Sequence, residues 1–182
     1  MKVTATEFPG VVLIEPQVFA DPRGHLLEIF QARRFAQLGI PAAFVQDLLS
    51  HSRSGVLRGL HYQLARPQGK LASIIAGVIF DVIVDIRRSS PTFGRWLGML
   101  LDSRLYQQVY IPPGFAHGYC VLSDFATVLY KCTEYYAPED EYGIRWDDPS
   151  LGIDWPVADP LLSARDSRFP TLAEIAPAAL PA

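Results

Sequence analysis

Short apolar runs, each broken within about eight residues by glycine, proline or aspartate, most constrain how this chain can fold. Strands are expected at Val11–Ile14, Leu26–Phe30, Phe44–Leu49, Gly55–Gln63, Leu71–Ile75 and Val78–Arg87. Further strands follow at Trp96–Leu101, Gln107–Ile111, Gly118–Leu122 and Ala126–Tyr135. The breaker-rich ADPRGH (Ala20–His25) and Gly77 read as turns. Helical spacing is confined to Gln31–Leu38, where Phe35 and Leu38 share a face and Gly39 and Pro41 end the segment. Many closely spaced strands with one short helix predict an all-β sandwich or barrel.

Within Val78–Arg87, Phe80, Val82, Val84 and Ile86 point one way, and Asp81, Ile83, Asp85 and Arg87 the other. After Ala137 the periodicity fades, and the Asp-, Pro- and Trp-rich chain to Pro160 should pack irregularly over the barrel. The closing APAALPA, Ala176–Ala182, reads as a loose tail. At 182 residues, with neither an internal repeat nor a linker, the expectation is one domain, 1–182.

Several function classes drop out on composition. Net charge is −3, and the basic residues are scattered, so nothing resembles a nucleic-acid footprint. Asp or Arg interrupts every apolar stretch before it could span a bilayer, which argues against a membrane partner. Cys120 and Cys132 have neither CxxC nor zinc-type spacing and sit in expected strands as small apolar residues. Met1-Lys2-Val3 is followed by Thr, Glu and Pro rather than an apolar run, so a cytoplasmic location is expected.

The stretch GVLRGLHYQ (Gly55–Gln63) carries Arg58 and His61 among apolar residues. On a regular strand, positions three apart face opposite ways. A bulge at Gly59 would put both on one face and line an apolar barrel with a polar site. The stretch also reads as a plain strand with a solvent-facing Arg and a satisfied His, and spacing alone leaves both open.

His117 lies in IPPGFAHGY, a P-x-G-x-x-H pattern that resembles the second motif of the cupin barrels. The first cupin motif has a pair of histidines, whereas the comparable strand here offers His61-Tyr62-Gln63. A transition metal wants three or four N, O or S ligands, so no metal is expected. What remains is proton chemistry beside a carbonyl. An imidazole oriented by a carboxylate serves as base, a cation stabilises the developing enolate, and a tyrosine returns a proton from the opposite side.

Seven runs, DPRGHLLEIF, VQDLLSHS, GVLRGLHYQ, DVIVDIRRSSPTFGRW, YIPPGFAHGY, VLYKCTEYY and GIRWDDPSLGIDWP, resemble the dTDP-4-dehydrorhamnose 3,5-epimerase family in its own order. The resemblance implies a cupin-type jelly roll (a double-stranded β-helix) with short peripheral helices. It also implies a homodimer that uses no cofactor. The implied reaction inverts C3 and C5 of a dTDP-4-keto-6-deoxy sugar. Carried over by motif, the catalytic roles fall on His61 as base, Asp166 as its carboxylate partner, Tyr130 as proton donor and Lys70 near the keto oxygen. Substrate contacts fall on Arg58 and His117, and on Arg23, Glu28, Gln46, Asp47 and Glu141, with Phe19 near the nucleotide. Arg165 takes a position where the family commonly has Lys, and Leu48 one where it usually has Asn. Asp81 is a further candidate for orienting His117.

Two other classes stay open on the sequence: a metal-dependent cupin enzyme and a non-catalytic sugar-nucleotide-binding cupin. Relatives that invert C3 or C5 alone share nearly all of these motifs. The strand at Val11–Ile14 is expected to offer its edge to a partner's sheet.

Overall fold

The computed structural model describes residues 1–41 and 43–182. Its strands are β1 (Lys2–Ala5), β2 (Val12–Glu15), β3 (Val18–Asp21), β4 (Gly24–Leu27), β5 (Gln46–Arg53), β6 (Leu57–Gln63) and β7 (Lys70–Ala76). They continue as β8 (Val78–Asp85), β9 (Trp96–Asp102), β10 (Gln108–Ile111), β11 (Phe115–Val121), β12 (Phe125–Cys132) and β13 (Glu141–Gly143). One α-helix, α1 (Ala32–Gln37), lies between β4 and β5. A six-stranded sheet runs β1-β2-β10-β7-β12-β5, and a five-stranded sheet runs β13-β6-β11-β8-β9. Every pairing within them is antiparallel. Strands β3 and β4 form a separate two-stranded hairpin.

Between the sheets lies an apolar core that includes Phe8, Ala72, Ile74, Ile83, Val109, Phe115, Tyr119 and Val128. The five-stranded sheet is buried on its far side too, which explains why β8 is apolar on alternate positions yet hides Asp81 and Asp85 as well. Val82, Val84 and Ile86 meet Leu60, Ile144, Leu151 and Leu180, so the irregular C-terminal chain is the second wall of this sheet. Helix α1 closes the six-stranded sheet with Phe35 against Ile14, Leu71 and Tyr110. Gln31 caps its start, its side-chain oxygen accepting from Arg34 N at 2.6 Å.

Three expectations need correction. The segment 176–182 is not a loose tail. Leu180 is 7% exposed, Arg88 N donates to Pro181 O, and the Tyr62 hydroxyl donates to Ala179 O at 2.9 Å. A Pro-rich composition marked the end as irregular, but it could not show that a sheet face needed covering. The Ala20–His25 turn is shorter than expected, since Val18–Asp21 pairs with Gly24–Leu27 and leaves only Pro22 and Arg23 between the strands. Finally, the strand near Val11–Ile14 is not an edge, because β1 pairs along β2 and takes its free side.

Candidate active site

The bulge expected in GVLRGLHYQ is present. His61 lies opposite His117 and Arg58 opposite Tyr119, so three steps along β6 match two along β11. The extra residue swings Arg58 and His61 onto the interior face with His117 and Tyr119. Gly59 permits this, with φ +127 and Gly118 Cα only 2.4 Å from where a Cβ would stand. Gly118 reciprocates, since a Cβ there would lie 2.6 Å from Arg58 O. Two facing glycines thus let the strands close up beneath the site.

These side chains open into a cavity of about 360 Å3 between the two sheets. Arg58, His61, His117, Glu141 and Arg165 line one side, and Lys70 and Tyr130 come from the six-stranded sheet. His61 Nε2 is 2.9 Å from Asp166 Oδ1. Burial works against charge on Asp166, but hydrogen bonds from His61, Ser163 and Gly59 N outweigh it and leave its pKa below the ordinary carboxylate value. An ionised Asp166 accepts the proton on Nε2, so Nδ1 keeps the free lone pair. Nδ1 is 3.8 Å from Glu141 Oε1. On the other side of Glu141, Oε2 accepts from the Tyr136 hydroxyl at 2.7 Å and pairs with Arg165.

Across the cavity, burial, reinforced by Tyr119, raises the Tyr130 phenol well above its usual pKa. It therefore holds its proton at neutral pH. Burial lowers the Lys70 amine, with Cys132, Glu141 and Asp81 pulling the other way. His117 Nε2 lies 2.7 Å from Asp81 Oδ2, which orients the ring as anticipated for Asp81. Each histidine thus turns Nε2 to its own carboxylate. Among the described residues, no group of three or more His, Cys, Asp or Glu is arranged to hold a metal ion.

The remaining candidates stand outside this cavity. Gln46 holds the loop over it, its side-chain oxygen accepting from Tyr136 N at 2.8 Å. Asp47 faces outward and pairs with Lys131 at 2.9 Å. Glu28 pairs with Arg34 at 2.8 Å. Phe19 and Arg23 lie on the β3–β4 hairpin, where they line a separate surface pocket with His25 and Leu26. Leu48, in register with Tyr130, lines the main cavity with an apolar side chain.

Sequence reasoning missed several wall residues. Gln63 pins the 135–137 loop, its amide donating to Tyr135 O and its oxygen accepting from Ala137 N at 2.9 Å. Gly143 leaves room for Phe169, whose ring packs edge-on against His61 at 5.6 Å between centroids. The aromatic pair Tyr135-Tyr136, at the end of the expected strand Ala126–Tyr135, was the one available sign.

A jelly roll whose two sheets present a carboxylate-braced imidazole and a protonated phenol to one cavity defines an acid–base enzyme. Known proteins agree with that class. A family profile described as dTDP-4-dehydrorhamnose 3,5-epimerase matches residues 5–174. A Pseudomonas aeruginosa protein of that name is 51% identical over 176 residues, covering 96% of this chain and 97% of the relative. A Streptomyces niveus dTDP-4-dehydrorhamnose 3-epimerase is 42% identical, covering 99% and 88%. The crystal structure of a Legionella pneumophila 3,5-epimerase in complex with dTDP-4-keto-L-rhamnose superposes with a TM-score of 0.96 at 48% identity, covering 99% of this chain and 97% of that one. This chain belongs to the dTDP-4-dehydrorhamnose 3,5-epimerase family, an isomerase family built on the cupin jelly roll.

Proposed function

We propose that this enzyme inverts C3 and C5 of dTDP-4-dehydro-6-deoxy-D-glucose to give dTDP-4-dehydro-L-rhamnose, using only its own side chains. The observation that carries the reading is the placement of His61, braced by Asp166, and Tyr130 on opposite sheets around one cavity. A volume of about 360 Å3 falls within the range of small-molecule sites.

His61 Nδ1 removes the proton from carbon next to the C4 ketone, and Asp166 stabilises the imidazolium that forms. Lys70 donates a hydrogen bond to the enolate oxygen. Tyr130 then delivers a proton from the other face, which inverts the centre. Arg58 and His117 hold the polar parts of the substrate, and Glu141 with Arg165 closes the rim around it.

Phe19, Arg23 and Glu28 act as nucleotide contacts within a homodimer. The supporting feature is the hairpin itself, which exposes Phe19 by 57% and Leu26 by 73% and lies apart from both main sheets. An apolar surface of this kind marks an interaction site. A cytoplasmic setting goes with the two buried free thiols, Cys120 and Cys132.

The test is incubation with dTDP-4-keto-6-deoxyglucose in D2O, with deuterium mapped by NMR. Inversion with label at both C3 and C5 is expected. Label at one carbon alone would make it a single-centre enzyme like its Streptomyces niveus relative is named to be. Binding without exchange would leave a sugar-nucleotide-binding protein. His61→Ala should abolish the exchange.

A further inference from the structure

The two ring nitrogens of His61 have unequal surroundings. Nε2 faces Asp166, which is 3% exposed, and Phe169 packs edge-on against the ring. Nδ1 faces the cavity, with Glu141 Oε1 3.8 Å away. The pairing of β13 with β6 puts the carboxylate there. Gly143 lies opposite His61, and Glu141, two residues along, shares its face.

The two oxygens of Glu141 are engaged differently. Oε2 accepts from the Tyr136 hydroxyl and pairs with Arg165, whereas Oε1 accepts no hydrogen bond among the described residues. The Glu141 side chain is 8% exposed and that of Arg165 50%, so the cluster runs from the base to the rim of the cavity. Removal of a substrate proton leaves an N–H at Nδ1, with substrate against it and Nε2 closed off by Asp166. At 3.8 Å the gap is too wide for a hydrogen bond to a neutral ring. It is an ion-pair distance, and protonation of the ring creates that pair.

We propose that Glu141 is the proton exit of His61. Oε1 receives the proton from Nδ1 and passes it to water at the rim, while Arg165 and Tyr136 hold Oε2 so that Oε1 keeps facing the base. Glu141 acts through His61 and is a positioning residue for the reaction. The inference rests on the assignment of His61 as the base.

In the first step the C–H bond breaks, its electron pair enters the enolate, and Nδ1 gains the proton. The Nδ1–H bond then breaks as Oε1–H forms, which leaves a neutral imidazole and a neutral carboxyl. A carboxylic acid in water is about a hundred-fold stronger than an imidazolium, so it hands a proton on rather than keeping it. Water carries the proton away and restores the carboxylate. Tyr130, having given its proton to carbon, takes one from solvent, so each inversion releases one proton and takes up one.

The experiment compares wild type, Glu141→Gln and Glu141→Ala in D2O, following inversion and the wash-in of deuterium at retained configuration. Wash-in needs His61 to lose its proton and gain a deuteron while the enolate lives, whereas inversion needs only that the proton leave before the next turnover. With the exit removed, the ratio of wash-in to inversion should fall about ten-fold or more. Formate, which supplies the missing carboxylate, should raise that ratio in Glu141→Ala. If wash-in and inversion in Glu141→Gln fall together or not at all, Glu141 serves only binding or packing and the inference is wrong. A wild type that inverts with no wash-in overturns it too, since His61 would then keep its proton throughout. Should Glu141→Gln fail to fold by circular dichroism, Glu141→Ala with and without formate decides alone, and a ratio unmoved by formate sinks the exit. A wild-type enzyme that neither exchanges nor inverts would instead overturn the epimerase reading itself.

Discussion

The cavity and the β3–β4 hairpin both carry residues assigned to substrate, yet they are built in different ways. In the cavity, His61, Glu141 and His117 are each held by a named partner, and β6 and β11, which carry the two histidines, are paired on both sides. On the hairpin, Arg23 is exposed and, among the described residues, pairs only with Asp21, two residues away. The hairpin meets the body through the contact of His25 with Tyr106, whose ring centroids are 4.9 Å apart. The groups proposed to move protons are fixed by packing before any substrate arrives, whereas those proposed to grip a nucleotide are left to be ordered by it. Preorganisation is worth most where charge develops in the transition state.

The sharpest test of this contrast is Asp166→Asn. It removes the charge that sets the His61 tautomer, so turnover should fall by about 10² to 10⁴, with the fold retained by circular dichroism. Near-normal turnover would mean that the bracing is not needed.

Gly59→Ala should destabilise the fold by about 3 kcal/mol or more, because the added methyl meets Gly118 Cα at 2.4 Å in a backbone region that favours glycine. Urea unfolding would measure it, and a loss below 1 kcal/mol would show that the bulge can relax.

Acid should separate the two regions as well. Buried Asp85 is opposed by desolvation, yet hydrogen bonds from Arg87, Ser90 and Thr92 bring its pKa down to about 2. A depressed folded pKa contributes stability that is present above the unfolded value of 3.8 and is lost as pH falls through about 2. That window accounts for about 2 kcal/mol of barrel stability, which Asp85→Asn should remove from the pH dependence. The exposed Asp21–Arg23 pair of the hairpin is screened by water and should leave acid stability unchanged on mutation.

The smallest effect belongs to the hairpin. Arg23→Ala should raise KM several-fold and change stability by no more than about 0.5 kcal/mol. A large fall in kcat at saturating substrate would place Arg23 in the chemistry and break the contrast.

Much of the architecture was legible because period-two alternation and Gly or Pro breaks are local. Strands β5 to β12 all lie where apolar runs predicted them, within a few residues. Strand β1, KVTA, was not visible, because four residues of mixed polarity carry no period. Strand β13 hid for the same reason within the acidic EYG of an irregular stretch. For the site, Gly59 between Arg58 and His61 was a readable sign of a bulge. The partnership of His61 with Asp166 spans 105 residues and came from motif resemblance, since no local pattern encodes it.

The sequence alone determined a β-rich chain, the glycine that bends β6, and the residue types suited to moving a proton beside a ketone. Only the tertiary structure decided which of them share a cavity, that Glu141 stands beside His61 there, and that the C-terminal segment seals a sheet. The reason is physical. Backbone alternation depends on neighbours in the chain, while a common cavity depends on how two sheets twist and pack, which distant residues settle together.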